Sequence, residues 1–336
     1  MTPADLLGAA LLVSLVAYAL LGGADYGGGI WDLLASGPRK QEQRALVEQA
    51  IGPIWEANHV WLILVIVVLF TGFPVAFAAV STTLFVPLTL LLFGIVLRGA
   101  AFTFRAYHAG DRVQARWGLL FSAASVVAPL LLGASVGGLA SGRLRVSPDG
   151  MPLGRPGDWL SPFPVATGLL AGALFAFLAA VYLTVEARGP LQEDFRRRAL
   201  ASGLAVFLGA LGAALLSARE APLVFAGLTA RRWSLLLHLA TGAAAVAALW
   251  ALWRRHFALA RLAAAGQVAL IVAGWGASQY PYLVVPDMTL ASASAPAATQ
   301  RLLLAALGLG ALTLFPSLWL LFRVFKGRRR PAPRSG

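Results

Sequence analysis

Residues 51–73 read IGPIWEANHVWLILVIVVLFTGF. From Val60 to Phe73 only Thr71 interrupts the apolar run. That run is too short to cross a bilayer, because a helix rises 1.5 Å per residue and a spanning helix needs ~20 residues. The span must reach back to about Ile54 and take Glu56, Asn58 and His59 into its first turns. A membrane helix that begins by burying a carboxylate carries a costly group, and such groups mark candidate functional sites.

The rest of the composition agrees with a membrane solvent. The chain has 336 residues, is 59% hydrophobic and only 12% charged, with a mean hydropathy of +0.77. A soluble domain carries about a quarter charged residues. The net charge of +13 would suit a nucleic-acid partner. The basic residues, however, sit in short connections between apolar runs, so no nucleic acid is expected. Cysteine is absent, which excludes disulfides, thiolate metal sites and cysteine nucleophiles. The first cation is Arg39, so residues 5–24 read as a retained span rather than a cleaved signal.

Apolar runs of crossing length fall at about 5–24, 54–73, 75–97, 117–139, 163–184, 199–217, 235–253, 259–277 and 302–322. The expected fold is all-α, a polytopic membrane protein of nine transmembrane helices, forming one integral membrane domain over 1–325. Pro87 and Pro129 are expected inside helices, and Gly133 with Gly137 forms a small-residue pair suited to close helix contact. Of the 27 Lys and Arg, 20 fall on the side of the C-terminal tail and 7 on the other. By the positive-inside rule the N-terminus is outside and the tail, 326–336, is cytoplasmic, expected to be disordered and close to anionic lipid. The Pro- and Gly-rich stretch 141–162 is the longest outer loop.

With that topology, Asp25 is expected at the cytoplasmic end of the first span. Glu56 lies at the cytoplasmic start of the second, and Arg98 and Arg105 at the end of the third. All four would then share one depth. Glu56 and His59, three apart, share a helix face, while Trp55, Asn58 and Trp61 line a neighbouring one. The glycines at 27–29 allow either a tight exit from the helix or close helix contact. Haem would require facing axial His or Met ligands. His108 and His256 fall in cytoplasmic connections, His238 near the outer end of its helix and His59 near the inner end of its own, so no haem or metal site built by this chain alone is expected.

These motifs together resemble a family. GADYGGGIWDLL (23–34), IGPIWEANHVWLI (51–63), LFTGFPVAFA (69–78), RGAAFTFR (98–105), SQYPYLVVPDMTL (278–290) and ASAPAATQRLLL (293–304) resemble subunit II of the cytochrome bd-type quinol oxidases, in order and over essentially the whole chain. The resemblance implies two four-helix bundles plus one peripheral helix. It implies a heterodimer with a similarly folded subunit I, in a bacterial or archaeal cytoplasmic (inner) membrane, with a small single-span subunit as a further candidate partner. Subunit I would carry the quinol site, two b-type haems and haem d, or a third b-type haem; this chain would carry none. The complex would oxidise the quinol pool and reduce dioxygen to water, electrogenically and without a separate proton pump.

The matching residues for a proton path are Asp25 and Glu56, where family members often have Asp. His59 is less typical and its role stays open, although its place beside Glu56 puts it on the same candidate path. Asn58, Arg98 and Arg105 form the supporting polar cluster, and Trp61 is the oxygen-route candidate. Two other readings remain, a multi-pass transporter or permease and a purely structural membrane subunit.

Overall fold

The computed structural model describes the backbone of residues 1–52, 55–107 and 111–326, and the side chains of these apart from 55–57, 106, 107, 111, 322, 325 and 326. The basic tail beyond Lys326, Glu56, Trp55 and His108 therefore lie outside the described side chains. In chain order the helices are α1 (Pro3–Leu33), α2 (Lys40–Ile51), α3 (Trp55–Gly72), α4 (Pro74–Thr83), α5 (Phe85–Tyr107) and α6 (Asp111–Ser141). They continue with α7 (Pro162–Glu186), α8 (Gly189–Glu220), α9 (Pro222–Thr229), α10 (Arg232–Trp253), α11 (Phe257–Gln279) and α12 (Ala297–Lys326). Among the described residues eight helices are long and apolar enough to cross a membrane, or nine if the bent pair α3–α4 is one span.

That bent pair corrects the expected third span. The chain turns by 118° between α3 and α4. Pro74 opens α4 without an N–H to continue the ladder, and Phe73 before it leaves helical geometry at φ −138°, ψ 61°. The apolar run 75–97 is therefore two pieces, and the crossing helix is α5, which runs on to Tyr107. Pro87 sits in the first turn of α5, where a missing N–H costs nothing. Pro129 is inside α6 as expected, and Pro316 is inside α12.

Helices α1, α3, α5 and α6 pack as one group and α7, α8, α10 and α11 as a second, joined where α7 lies against α1 and α6. The most apolar stretch of α7 is 61% buried, against 6% for α12, which leans only on α1 and α3 among its main contacts. Side chains such as Leu236, Leu302 and Leu309 point outward and exposed. This is the arrangement expected where lipid replaces water and helices associate through packing. Gly133 and Gly137 do serve close contact: a Cβ on Gly133 would stand 2.6 Å from the Thr167 carbonyl oxygen of α7.

Among the described residues, the loop 141–162 is tied to a hairpin before α12 by an ion pair. A short hairpin, β1 (Tyr282–Val284) and β2 (Met288–Thr289), presents Asp287 at its turn. Arg145 donates to it twice, at 2.8 and 2.7 Å, and the Val146 amide once, at 2.9 Å. Hydrogen bonding from Arg145 holds the Asp287 carboxyl below the usual carboxylate range, against an opposing push from burial. The clasp is therefore fully ionised at neutral pH. On the opposite face, Arg39 and Gln43 both donate to Asp194, tying α2 to α8.

Candidate functional site

The glycine run does not end α1. Gly27, Gly28 and Gly29 lie about 100° apart around the helix and so face three different neighbours. A side chain on Gly27 would collide with the Phe175 carbonyl of α7, on Gly28 with Ile51 of α2, and on Gly29 with Ser125 of α6. The glycines are thus contact points, and the helix continues to Leu33. Asp25 consequently lies eight residues, about 12 Å, inside α1 rather than at its end.

This extension separates the polar residues into two tiers. In the deeper tier, Asn58 Nδ2 of α3 donates to Asp25 Oδ2 at 2.6 Å, and both residues are buried (1% and 3% exposed). His59 packs at 6.1 Å from the rings of both Tyr18 and Tyr26, whose hydroxyls are 3.1 Å apart. Arg98 is 2% exposed, near the middle of α5. Its Nε donates to Ser125 Oγ at 3.1 Å, and its guanidinium lies 4.7 Å from the Tyr26 ring centroid and 5.1 Å from that of Phe121. Tyr26 thus links Arg98 to His59, and cation–π contact offsets part of the cost of burying the charge.

The second tier lies two turns further along the same helices. Asp32 follows Asp25 by seven residues and Arg105 follows Arg98 by seven, about 10 Å of rise in each case. Asp32 is 1% exposed; Arg105 Nη1 donates to it at 3.2 Å and Ser122 Oγ at 2.7 Å. Arg105 also reaches Glu48 at 3.6 Å, and Arg44 approaches Asp32 at 3.9 Å. The expectation of a single depth is corrected accordingly: Asp25, Asn58, His59 and Arg98 come together, whereas Arg105 belongs to a separate ion-pair cluster. Trp61 is buried, 6.5 Å from the Phe315 ring of α12. The position of the Glu56 side chain lies outside the described residues.

Sequence reasoning passed over Asp32, Glu48, Arg44, Ser122, Ser125, Tyr18 and Tyr26. A signal existed for three of them. Asp32 sits on the face of Asp25 two turns on, and Ser122 and Ser125 lie one turn apart in an otherwise apolar helix.

A cavity of about 1010 Å³ opens beside the deeper tier, bounded by α1, α2, α7 and α11, and Asp25 and Asn58 form part of its wall. Three of the four histidines fall among the described residues. His238 Nδ1 lies 2.6 Å from the Ser234 carbonyl of its own helix, His256 packs on Trp250, and His59 is enclosed by two tyrosines. No group of three His, Asp or Glu with metal-binding spacing occurs among the described residues.

A helical membrane protein with a buried carboxylate–amide pair between two of its helices, opened by a cleft, defines the class. Residues 4–325 match the profile of the family described as cytochrome bd terminal oxidase subunit II, and the chain belongs to that family. It is 27% identical over 208 residues to cytochrome bd ubiquinol oxidase subunit 2 of Bacillus subtilis (strain 168), covering 62% of this chain and 61% of that one. It is 27% identical over 195 residues to cytochrome bd-I ubiquinol oxidase subunit 2 of Escherichia coli (strain K12), covering 57% and 51%. These matches thus span between half and two thirds of those relatives. Similarity to the putative cytochrome bd menaquinol oxidase subunit II of Bacillus subtilis is longer, 24% over 328 residues, covering 93% and 92%. The fold matches a chain of the bd oxidase of Geobacillus thermodenitrificans with a TM-score of 0.82 at 23% identity, over 97% of this chain and 99% of that one. Family membership gives no support to the permease reading.

Proposed function

We propose that this chain acts as the haem-free subunit II of a quinol:dioxygen oxidoreductase in the cytoplasmic membrane, paired with a haem-bearing subunit I. Haem in the partner would supply the chemistry of dioxygen reduction. This chain would stabilise the complex and bring protons to it. Reducing one dioxygen to water consumes four protons by stoichiometry, and an apolar bundle has no route of its own for them. The observation that carries the reading is the buried Asp25–Asn58 pair beside an open cleft.

Asp25 would receive protons from the cytoplasmic side and exchange them with Glu56, two residues before Asn58 on α3. His59 lies in the same tier, and its imidazole can accept a proton at one ring nitrogen while donating from the other. Asn58 would orient the Asp25 carboxylate. Arg98 would hold a fixed positive charge in the same tier, anchored by Ser125 and the Tyr26 ring. Trp61, buried against α12, would border an apolar path for oxygen.

Two measurements test this reading. Expressed alone, the chain is expected to give membranes without haem absorbance from it, and with its subunit I an oxidase with b-type bands. Stoichiometric haem on the isolated chain would refute the division of labour. A periplasmic alkaline phosphatase reporter is expected to be active when inserted in the 141–162 loop and inactive after Gly336. The reverse pattern would place Asp25 and Glu56 on the wrong side for proton uptake.

A further inference from the structure

Building on Asp25 as a proton carrier, we infer that protons reach it through the cleft between α1, α7 and α11, and that Glu186 at the end of α7 collects them. The cleft has a buried end and an exposed end. Asp25 and Asn58 line the first; Glu186, Arg188 and Arg261 line the second. Its volume of about 1010 Å³ is ample for a continuous file of water.

The order of groups along the cleft follows from helix contacts. Gly23 and Gly27, which bracket Asp25 on α1, both meet Phe175 of α7. Tyr182 and Glu186 line the same cleft seven and eleven residues further along α7, about 10 and 16 Å towards the mouth. Being four apart, they share a helix face. Gln192 Nε2 donates to the carbonyls of Thr184 and Ala187 at 2.8 and 3.1 Å. This holds the corner between α7 and α8 and therefore the position of Glu186.

Glu186 takes a proton from bulk water and passes it to water within the cleft. The Tyr182 hydroxyl accepts one proton as it gives up its own, and Asp25 ends the sequence protonated. Only O–H bonds form and break, and no electrons move.

The chain contains no cysteine, so one introduced thiol is its only thiol. In the purified complex, Ala265→Cys on the cleft wall and Leu259→Cys on the outer face of α11 are treated with methanethiosulfonate ethyltrimethylammonium, beside the parent complex as control. The Ala265→Cys thiol is expected to react from the aqueous phase, and labelling should cut quinol oxidase turnover about tenfold. Labelling at Leu259→Cys should leave turnover at its starting value. Glu186→Gln is expected to slow turnover about tenfold with haem content intact, less than the 10²-fold of a positioned acid because water also reaches the cleft, and Glu186→Asp should restore it. An unreactive thiol at Ala265→Cys, a labelled enzyme that turns over normally, or a Glu186→Gln variant equal to the parent would each overturn this route. If Asp25→Asn is slow in the same preparations, only the cleft is refuted; if Asp25→Asn is also normal, the proton role of Asp25 falls with it.

Discussion

Replacing Asp25 by Asn and Glu56 by Gln together is expected to slow quinol oxidase turnover by about 10²-fold, the usual loss on removing a positioned acid or base, while haem content and assembly stay intact. Both substitutions keep shape and hydrogen bonding but cannot carry a proton. Asn at position 25 still offers a carbonyl oxygen to Asn58 Nδ2, the contact that is 2.6 Å in the parent, so packing in the deeper tier should survive. Glu56→Asp should retain most activity, because the carboxylate is what matters. The measurement is turnover per haem in the purified complex, with the membrane potential in reconstituted vesicles. A fully haem-loaded double variant that turns over and polarises vesicles like the parent would show that these residues are not the proton route. A variant that fails to assemble would favour the purely structural role for the chain.

The largest expected stability loss lies in the other tier. Asp32→Leu should destabilise the complex by about 3 kcal/mol, the lower end of the range for breaking a buried ion pair. The loss comes mainly from Arg105, which keeps its charge but loses its 3.2 Å partner, and from Ser122, which loses its 2.7 Å acceptor. Glu48, at 3.6 Å from Arg105, limits the damage. Combining Asp32→Leu with Arg105→Met should recover most of it, since two apolar groups of similar volume replace two charges. Thermal unfolding of the detergent-solubilised complex reads the effect. If the single variant melts with the parent, the pair does not hold α1 to α5. If it melts normally but turns over slowly, Asp32 belongs to proton transfer instead.

The two tiers also show how far the sequence was legible. Hydropathy found a helix at the apolar core of eight of the nine expected spans, although α1 runs nine residues past its expected end and α8 begins ten before its expected start, because lipid demands continuous apolar length. It failed between 75 and 97, where Pro74 and Phe73 redirect the backbone without lowering hydrophobicity. Asp25 and Arg98 were legible as costly charges in apolar surroundings. Their partners were harder to see: Ser125 and Tyr26 are ordinary residues whose roles arise only when α5 and α6 pack against α1. Asp32 was hidden by the expectation that the glycine run ends the helix.

The amino-acid sequence by itself determined the all-α membrane class, the charge asymmetry of the two faces and the presence of buried carboxylates, since these depend on composition and one-dimensional spacing. Only the tertiary structure decided that Asp25 pairs with Asn58, that Asp32 takes Arg105, and that a cleft runs from Glu186 to Asp25. The physical reason is length. Side-chain hydrogen bonds act within about 3 Å, and which groups come that close is set by helix contacts between residues such as Gly27 and Phe175 or Gly29 and Ser125, far apart in the chain.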